Sequence, residues 1–370
     1  MTSVLIIGMP YDTHVAAVRI GLERLGASAY NWVTSDLPDF ATSTIHIPGP
    51  KAVPRVRVTH EGVTTDLHQF DVIWNRRRER PLAPEGASPH DAPVIEEECL
   101  LHTESMLFLL SKLVRTVNDP FAQRRADRKA VQLHFAASIG LKTVPTLFSN
   151  DVAEISDFYD MHAPLVAKPH RQHGWRDEKK TYNELTFDMP PPRTLDPKSI
   201  ELCPLILQKK IVRVMEVRVI AFGGKVYAMR TVDEAGRLDA RFESLVKGFD
   251  SFTVVDIPRD VAELCNKYLR GMAIEFGAFD FIIDKAGDWF FLECNESGQF
   301  LYLEEKVPEL RLLDGFCRWL IEIGGGLVPD DAEELCLAEV MSSNAMLSYN
   351  TDRLTHKNVS SLHLIVESVA

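Results

Sequence analysis

The segment Asp288–Phe300, DWFFLECNESGQF, runs four apolar or aromatic residues, Trp289 to Leu292, straight into Glu293, Cys294, Asn295 and Glu296. A strand that apolar calls for burial, and a buried carboxylate is costly unless something pairs with it. The preceding DKAG, Asp284–Gly287, has the composition of a tight turn. With the turn centred near Ala286 and Gly287, Asp280 lies across the ladder from Glu293. Period-two alternation puts Asn295 on the same face as Glu293. Like charges directly opposite each other destabilise a ladder, whereas three oxygen-bearing side chains on one face suit a hard divalent cation. The spacing predicts a Mg²⁺ site at Asp280, Glu293 and Asn295. It fits equally a strand whose last carboxylate ends in solvent.

Other residues bear on that choice. Mg²⁺ dehydrates reluctantly and is usually held by one or two carboxylates together with substrate phosphates. Phosphates in turn need cations from other elements. Lys129 is on an expected helix, Lys168 ends the apolar strand LVAK, and Arg218 and Arg230 sit in a Gly-turned hairpin. A lysine at a strand end before Pro169 has most reason to be charged if it faces a cleft. There is no Walker A sequence and no GxGxxG, so neither a P-loop nor a dinucleotide fingerprint is available.

The elements that must position these residues read as α/β. VLIIG (residues 4–8) is a buried strand, and THVAAVRIGLERLGA a helix ending at Gly26. A hairpin is expected around Glu61-Gly62, a strand at FDVIWNRR, and a helix from about Ile95 to Leu113. RADRKAVQLHFAASIGL reads as a second helix, PLILQKKI as a short strand, and EVRVIAFGGKVYAMRTV as a hairpin turned at Gly223-Gly224. A helix at VAELCNKYLRGMAIEFGA precedes the hairpin with Asp280 and Glu293, and a last helix, Pro308 to Ile323, stops at a Gly run. Residues 327–370 look appended, with a helix-like DDAEELCLAEVM and a strand-like LHLIV.

In this order the residues resemble the ATP-grasp superfamily, with LECN as its E-x-N metal motif. In detail they are similar to the graspetide synthetases, the microviridin-type macrocyclases of ribosomally made peptides. VIWNRRRERP is similar to that group's W-x-R-R segment. VNDPFAQRRADRKAVQLHFAASIGLKTVPTLFSND carries N-P, K-x-x-Q-L, A-x-x-x-G-L and P-x-T, and ECNESGQFLYLEE is close to the E-x-N-P-x-G-Q ending. The likeness covers about residues 1–325. E-x-N alone is common to all ATP-grasp ligases; the G-Q extension and W-x-R-R are more specific. Glu296 stands where the family commonly has proline, and residues 327–370 have no recognised counterpart.

The resemblance implies an α/β (α+β) ATP-grasp architecture. Residues 1–120 would form a pre-ATP-grasp domain, and 121–210 a central subdomain with a peptide-docking insertion. Residues 211–326 would form a C-terminal subdomain with the metal site, and 327–370 an appended segment. It implies ATP and Mg²⁺ as cofactors. Lys129 and Lys168 would contact the phosphates, and Gln208, Lys209 and Ile211 the adenine. Asp280, Glu293 and Asn295 would hold Mg²⁺, and Arg218 would neutralise the transferring phosphoryl group. Arg241, in LDARFES, would grip the acceptor carboxylate. His170 and His173 read as lid or solvent residues rather than metal ligands, within a loop, PHRQHGWRDEKK, that could close over the phosphates. The partner implied is a precursor peptide whose leader docks on TYNELTFDMPPPRTLDPKSIEL; a homodimer is compatible with the resemblance. Arg76 and Arg77 fit either an interdomain lock or a contact to an acidic peptide.

Composition bounds the rest. A net charge of −12 over 370 residues argues against a broad nucleic-acid surface. Six cysteines without a CxxC pair are neither zinc spacing nor a disulfide framework, and fit a reducing cytosol. No signal peptide or membrane-length apolar run is present, so a cytoplasmic protein without membrane association is expected. A ligase acting on free amino acids or small peptides shares every metal and phosphate residue. A nucleotide-binding protein without turnover is the third reading, against which the intact Asp280, Glu293, Asn295 and Arg218 speak.

Overall fold

The computed structural model describes residues 1–170, 174–176, 181–183, 186–231 and 252–357. Arg241, His173, most of the loop PHRQHGWRDEKK and the strand-like LHLIV lie outside the described residues. Two compact units divide the chain. The first comprises Met1–Arg124, Met272–Gly277 and Glu296–Ala370, the second Arg125–Gly271 and Ala278–Asn295.

The first unit is built on a four-stranded parallel sheet in the order Ser28–Trp32, Ser3–Ile7, Val72–Asn75, Arg115–Val117. Val4, Leu5, Ile6 and Ile7 are all fully buried, which is why this strand reads as one unbroken apolar run. The helix Thr13–Arg24 follows it, capped by Asp12, whose carboxylate accepts from the His14 N–H at 2.9 Å. A three-stranded antiparallel sheet, Ala41–His46, Arg55–His60 and Val63–Asp66, turns at Glu61-Gly62. Both turn residues have positive φ (48° and 78°), as a two-residue type I′ turn requires.

The expected C-terminal helix begins later than its sequence suggests. Pro308–Leu310 forms a single 3₁₀ turn, Arg311 is left-handed, and the regular helix is Leu312–Ile323. Of the helix-like DDAEELCLAEVM only Leu337–Met341 is helical. The reason lies in two carboxylates that take the backbone donors a helix would have used. Asp314 accepts from the Leu335 N–H at 3.0 Å, and Glu304 accepts from Leu313 and Leu337 at 2.7 and 2.9 Å. A further helix, Asn344–Asp352, capped by Ser343, was not expected from the sequence.

The second unit holds two sheets. One is antiparallel, in the order Phe187–Asp188, Leu165–Lys168, Leu205–Lys209, Thr146–Ser149, and packs Leu165, Ala167 and Leu207 against Ile155 of the helix Val152–His162. The other has six strands in the order Phe252–Val254, Lys225–Thr231, Arg213–Phe222, Phe276–Asp284, Trp289–Asn295, Lys142–Thr143. The helices Lys129–Ile139 and Arg259–Met272 meet its core side through Phe135 and Tyr268, whose rings are 5.6 Å apart. Tyr268 in turn packs on Phe279 and Phe291 at 5.3 and 5.4 Å. No described helix is long and apolar enough to cross a membrane.

Glu304 is only 2% exposed and anchors residue 337 to the body through its carboxylate. Glu304→Gln should lower the stability of the chain by about 1–3 kcal/mol, because one of the two N–H donors then faces an amide NH₂. A thermal melt checks this; an unchanged midpoint would contradict it.

Candidate functional site

The hairpin Phe276–Asp284/Trp289–Asn295 turns through Gly287 (φ +84°), with Asp284 accepting from the N–H groups of Ala286 and Asp288 at 2.9 and 3.0 Å. Asp280 faces Glu293 and Ala278 faces Asn295. The pairing is not regular, however. It passes from Asp280↔Glu293 to Phe281↔Phe291, leaving Leu292 as an extra residue in a β-bulge. Strict alternation would put Phe291 and Glu293 on one face. With the bulge, Phe291 and Cys294 are both buried, while Glu293 and Asn295 turn to the face of Asp280. Phe291 is therefore buried while Glu293 is only half-buried beside the bulged Leu292.

Two cations meet the facing carboxylates. Arg218, on the neighbouring strand, places Nη1 2.6 Å from Asp280 Oδ1. Lys129 forms a short ion pair with Glu293 Oε2. Asn295 Nδ2 lies 3.4 Å from both Asp280 Oδ2 and Glu293 Oε1, bridging the two. The contacts thus run Lys129–Glu293–Asn295–Asp280–Arg218, all half-buried side chains. Which end of the Asn295 amide points inward follows its partners. Turned over, it adds a neutral oxygen to two carboxylates that already converge on one point. That donor set fits Mg²⁺.

The remaining candidates are carried by the antiparallel sheet. Lys168 ends Leu165–Lys168, opposite Ile206. Gln208 is buried on the central strand and donates to Thr146 Oγ1 at 3.0 Å, so its side chain is committed to the sheet. Its neighbours are pinned by backbone: the Lys209 N–H donates to the Pro145 carbonyl at 3.0 Å and the Lys210 N–H to that of Pro164 at 2.8 Å. Lys209 is exposed and Ile211 half-buried, just past the strand end. Arg230 is bound to Thr253 Oγ1 at 2.6 Å on the strand next to that of Arg218. His170 packs on Phe148, ring to ring 5.6 Å. An open hollow of about 570 Å³ beside Leu133, His134 and Phe148 is lined by none of the candidate residues.

No protein-family model matches this chain, and neither does any curated protein. Solved structures do. A Chryseobacterium gregarium RiPP-associated ATP-grasp ligase, solved with ADP and a leader and core peptide, superposes with a TM-score of 0.80 at 20% identity, over 90% of this chain and 100% of its own. The chain has the ATP-grasp fold. The macrocyclase MdnC of Microcystis aeruginosa MRC, bound with precursor peptide MdnA, gives 0.75 at 20% identity over 87% and 100% of the two chains. The ATP-grasp ligase PsnB, solved with a minimal-precursor variant, Mg and ADP, gives 0.67 at 19% over 87% and 99%.

Two residues that hold this ATP-grasp hairpin in place were not singled out from the sequence. Gln132, one turn after Lys129, bonds both to the Cys294 N–H and to its carbonyl, each at 2.9 Å. The side-chain amide mimics a strand partner beside the site and fixes the helix that presents Lys129. Asn118 accepts from the N–H groups of Glu275 and Phe276 at 2.7 and 3.0 Å and donates to the carbonyls of Phe276 and Glu296 at 2.9 and 2.7 Å. One side chain thereby clasps the backbone where it enters and where it leaves the hairpin. For Gln132 the signal was there in the K-x-x-Q-L pattern, as residue identity without geometry.

Arg76 and Arg77 make their bonds inside the first unit. Arg76 is buried, lies 3.2 Å from Asp12 Oδ2, and donates to the carbonyls of Ser297 and Gly298, the latter at 2.8 Å. Arg77 donates to the Ser297 carbonyl at 3.3 Å. Burial would raise the Asp12 carboxyl, but the hydrogen bond to His14 and the charge of Arg76 prevail and hold it well below the usual range. Burial also lowers His14. A neutral His14 is what the geometry needs, since its Nε2 accepts from the N–H groups of Phe300 and Leu301 at 2.9 and 3.1 Å. The Gly-Gln turn after the ATP-grasp hairpin is therefore held by the buried side chains of Arg76 and His14, with Asp12 paired to both.

Asn118→Ala removes both ends of the clasp and leaves buried backbone groups unpaired. We expect a loss of about 2–4 kcal/mol in stability. Equal stability by denaturant titration would refute the clasp.

Proposed function

We propose that this chain is an ADP-forming ligase that macrocyclises a ribosomally made precursor peptide. It joins Asp or Glu side-chain carboxylates to Lys amines or Ser/Thr hydroxyls through an acyl phosphate. The observation that carries this reading is the convergence of Asp280, Glu293 and Asn295 between Lys129 and Arg218 on one sheet face. That face belongs to a fold shared, over nine-tenths of this chain, with a ligase solved with ADP and a leader and core peptide.

Asp280, Glu293 and Asn295 would hold Mg²⁺, whose charge offsets that of the β- and γ-phosphate oxygens when bound. Lys129 and Arg218 now neutralise Glu293 and Asp280. Arriving phosphate oxygens would compete for both cations, and Arg218 would then face the transferring phosphoryl group. Lys168 supports the phosphates from the other sheet. Lys209 and Ile211 offer backbone groups to adenine, and Gln208 holds the strand that carries them. Arg241 is assigned the acceptor carboxylate. The peptide carboxylate oxygen attacks the γ-phosphorus and ADP leaves. An amine or hydroxyl then adds to the acyl carbon, inorganic phosphate departs, and the nucleophile's proton is lost. No protein nucleophile is needed.

The leader segment docks on the stretch from Thr181 to Leu202. Within it, Thr181–Asn183 pairs with Gly174–Arg176, Phe187–Asp188 adds an edge strand, and Pro197–Glu201 is a short helix. An edge strand offers unpaired backbone to an extended peptide. A peptide rather than a nucleic acid as partner accords with the net charge of −12, and we assign the chain to a cytoplasmic homodimer without membrane association.

Purified protein given ATP, Mg²⁺ and the peptide encoded beside its gene should release ADP in a peptide-dependent manner, with loss of one water per bond by intact mass. Glu293→Gln should reduce that rate by about 100-fold or more without lowering the melting temperature. ADP release that ignores the peptide and rises with free amino acids would replace this reading with a small-molecule ligase.

A further inference from the structure

The segment after residue 327, which the family resemblance does not account for, brings His356 onto the three-stranded sheet of the first unit. There it meets Asp36 and His60. Asp36 Oδ2 lies 2.6 Å from His356 Nδ1 and 3.8 Å from His60 Nε2. The three ligand atoms all fall within 4.8 Å of one another. The imidazoles are stacked, 4.5 Å between centroids and 14° apart, so both present an edge nitrogen to the same carboxylate oxygen. A fourth donor is adjacent, the Thr355 carbonyl oxygen, 3.2 Å from His60 Nε2.

We propose that Asp36, His60 and His356, with the Thr355 carbonyl beside them, form a site for a divalent transition-metal ion of the zinc class. Three further features favour a cation here. The Asp36 carboxylate is 3% exposed, so water does little to stabilise its charge. Its second oxygen, Oδ1, accepts from the Lys357 N–H at 2.9 Å, the kind of outer hydrogen bond that fixes a ligating carboxylate and leaves Oδ2 for the metal. The Lys357 ammonium is drawn aside by Asp39 at 2.6 Å and by the Leu82 carbonyl at 3.0 Å. Two imidazoles and one carboxylate suit Zn²⁺, Co²⁺ or Fe²⁺ and are a poor set for Mg²⁺, which takes oxygen ligands. Bond lengths of about 2.0–2.2 Å would require movements of roughly 1 Å from the present positions.

Such an ion would staple the appended segment to the N-terminal domain, since Asp36 and His60 come from one and His356 from the other. It differs in ligand chemistry from the Asp280–Glu293–Asn295 group, so one protein would hold two metals of different class.

The test uses full-length, tag-free protein stripped with chelator and kept in excess Mg²⁺. Co²⁺ titration should give one equivalent of uptake with visible d–d bands, which Zn²⁺ bleaches by displacement. His60→Ala and His356→Gln should each weaken Co²⁺ uptake at least about tenfold, and Zn²⁺ should raise the melting temperature of the parent but of neither variant. A far-UV circular dichroism spectrum of each variant matching that of the parent keeps the test independent of folding. If the parent binds no Co²⁺ under Mg²⁺, or if both variants bind it as the parent does, the cluster is a hydrogen-bonded latch and the proposal fails.

Discussion

Asp280 and Glu293 face each other across one β-ladder, and much of the second unit is arranged around that repulsion. Two carboxylates in that position destabilise a sheet unless cations or amide donors come to them. Arg218 arrives from the next strand, Lys129 from a helix start, and Asn295 from two residues along.

The bulge at Leu292 makes this arrangement compatible with a stable core. It lets Phe291 and Cys294 pack with Tyr268 and Phe279, while Glu293 and Asn295 stay on the opposite face. The side chains that fix the backbone on either side, Gln132 at Cys294 and Asn118 at Phe276 and Glu296, are amides. An amide both donates and accepts, so one residue can satisfy an N–H and a C=O together where no strand is available. Preorganisation of the hairpin on either side of the charged group thus rests on neutral hydrogen bonds.

Much of this could be read from the chain alone. The turn at Asp284–Gly287 could be read, but its register, Ile283↔Trp289 and Phe281↔Phe291, leads to Leu292 opposite Asp280, and it is the bulge that brings Glu293 there. Gly223-Gly224 and Glu61-Gly62 marked hairpins by their demand for positive φ. The bulge could not be read, because one extra residue in an apolar run leaves no compositional trace. Nor could the roles of Asn118 and Gln132, whose partners lie between 157 and 178 residues away, apart from the closer carbonyl of Ala126. The start of the helix Leu312–Ile323 and the partial helix in residues 330–341 were misjudged for a related reason. Buried carboxylates of Glu304 and Asp314 capture backbone donors, and that competition is tertiary.

The claim on which the rest depends is that a peptide carboxylate is phosphorylated at the Asp280–Glu293–Asn295 group. The most direct measurement is to supply the peptide with its side-chain carboxylates labelled with heavy oxygen and to analyse the inorganic phosphate released. Transfer of one labelled oxygen to phosphate for each ring closed is the predicted result. Ring closure that yields only unlabelled phosphate would contradict the acyl-phosphate route and with it the role assigned to this site.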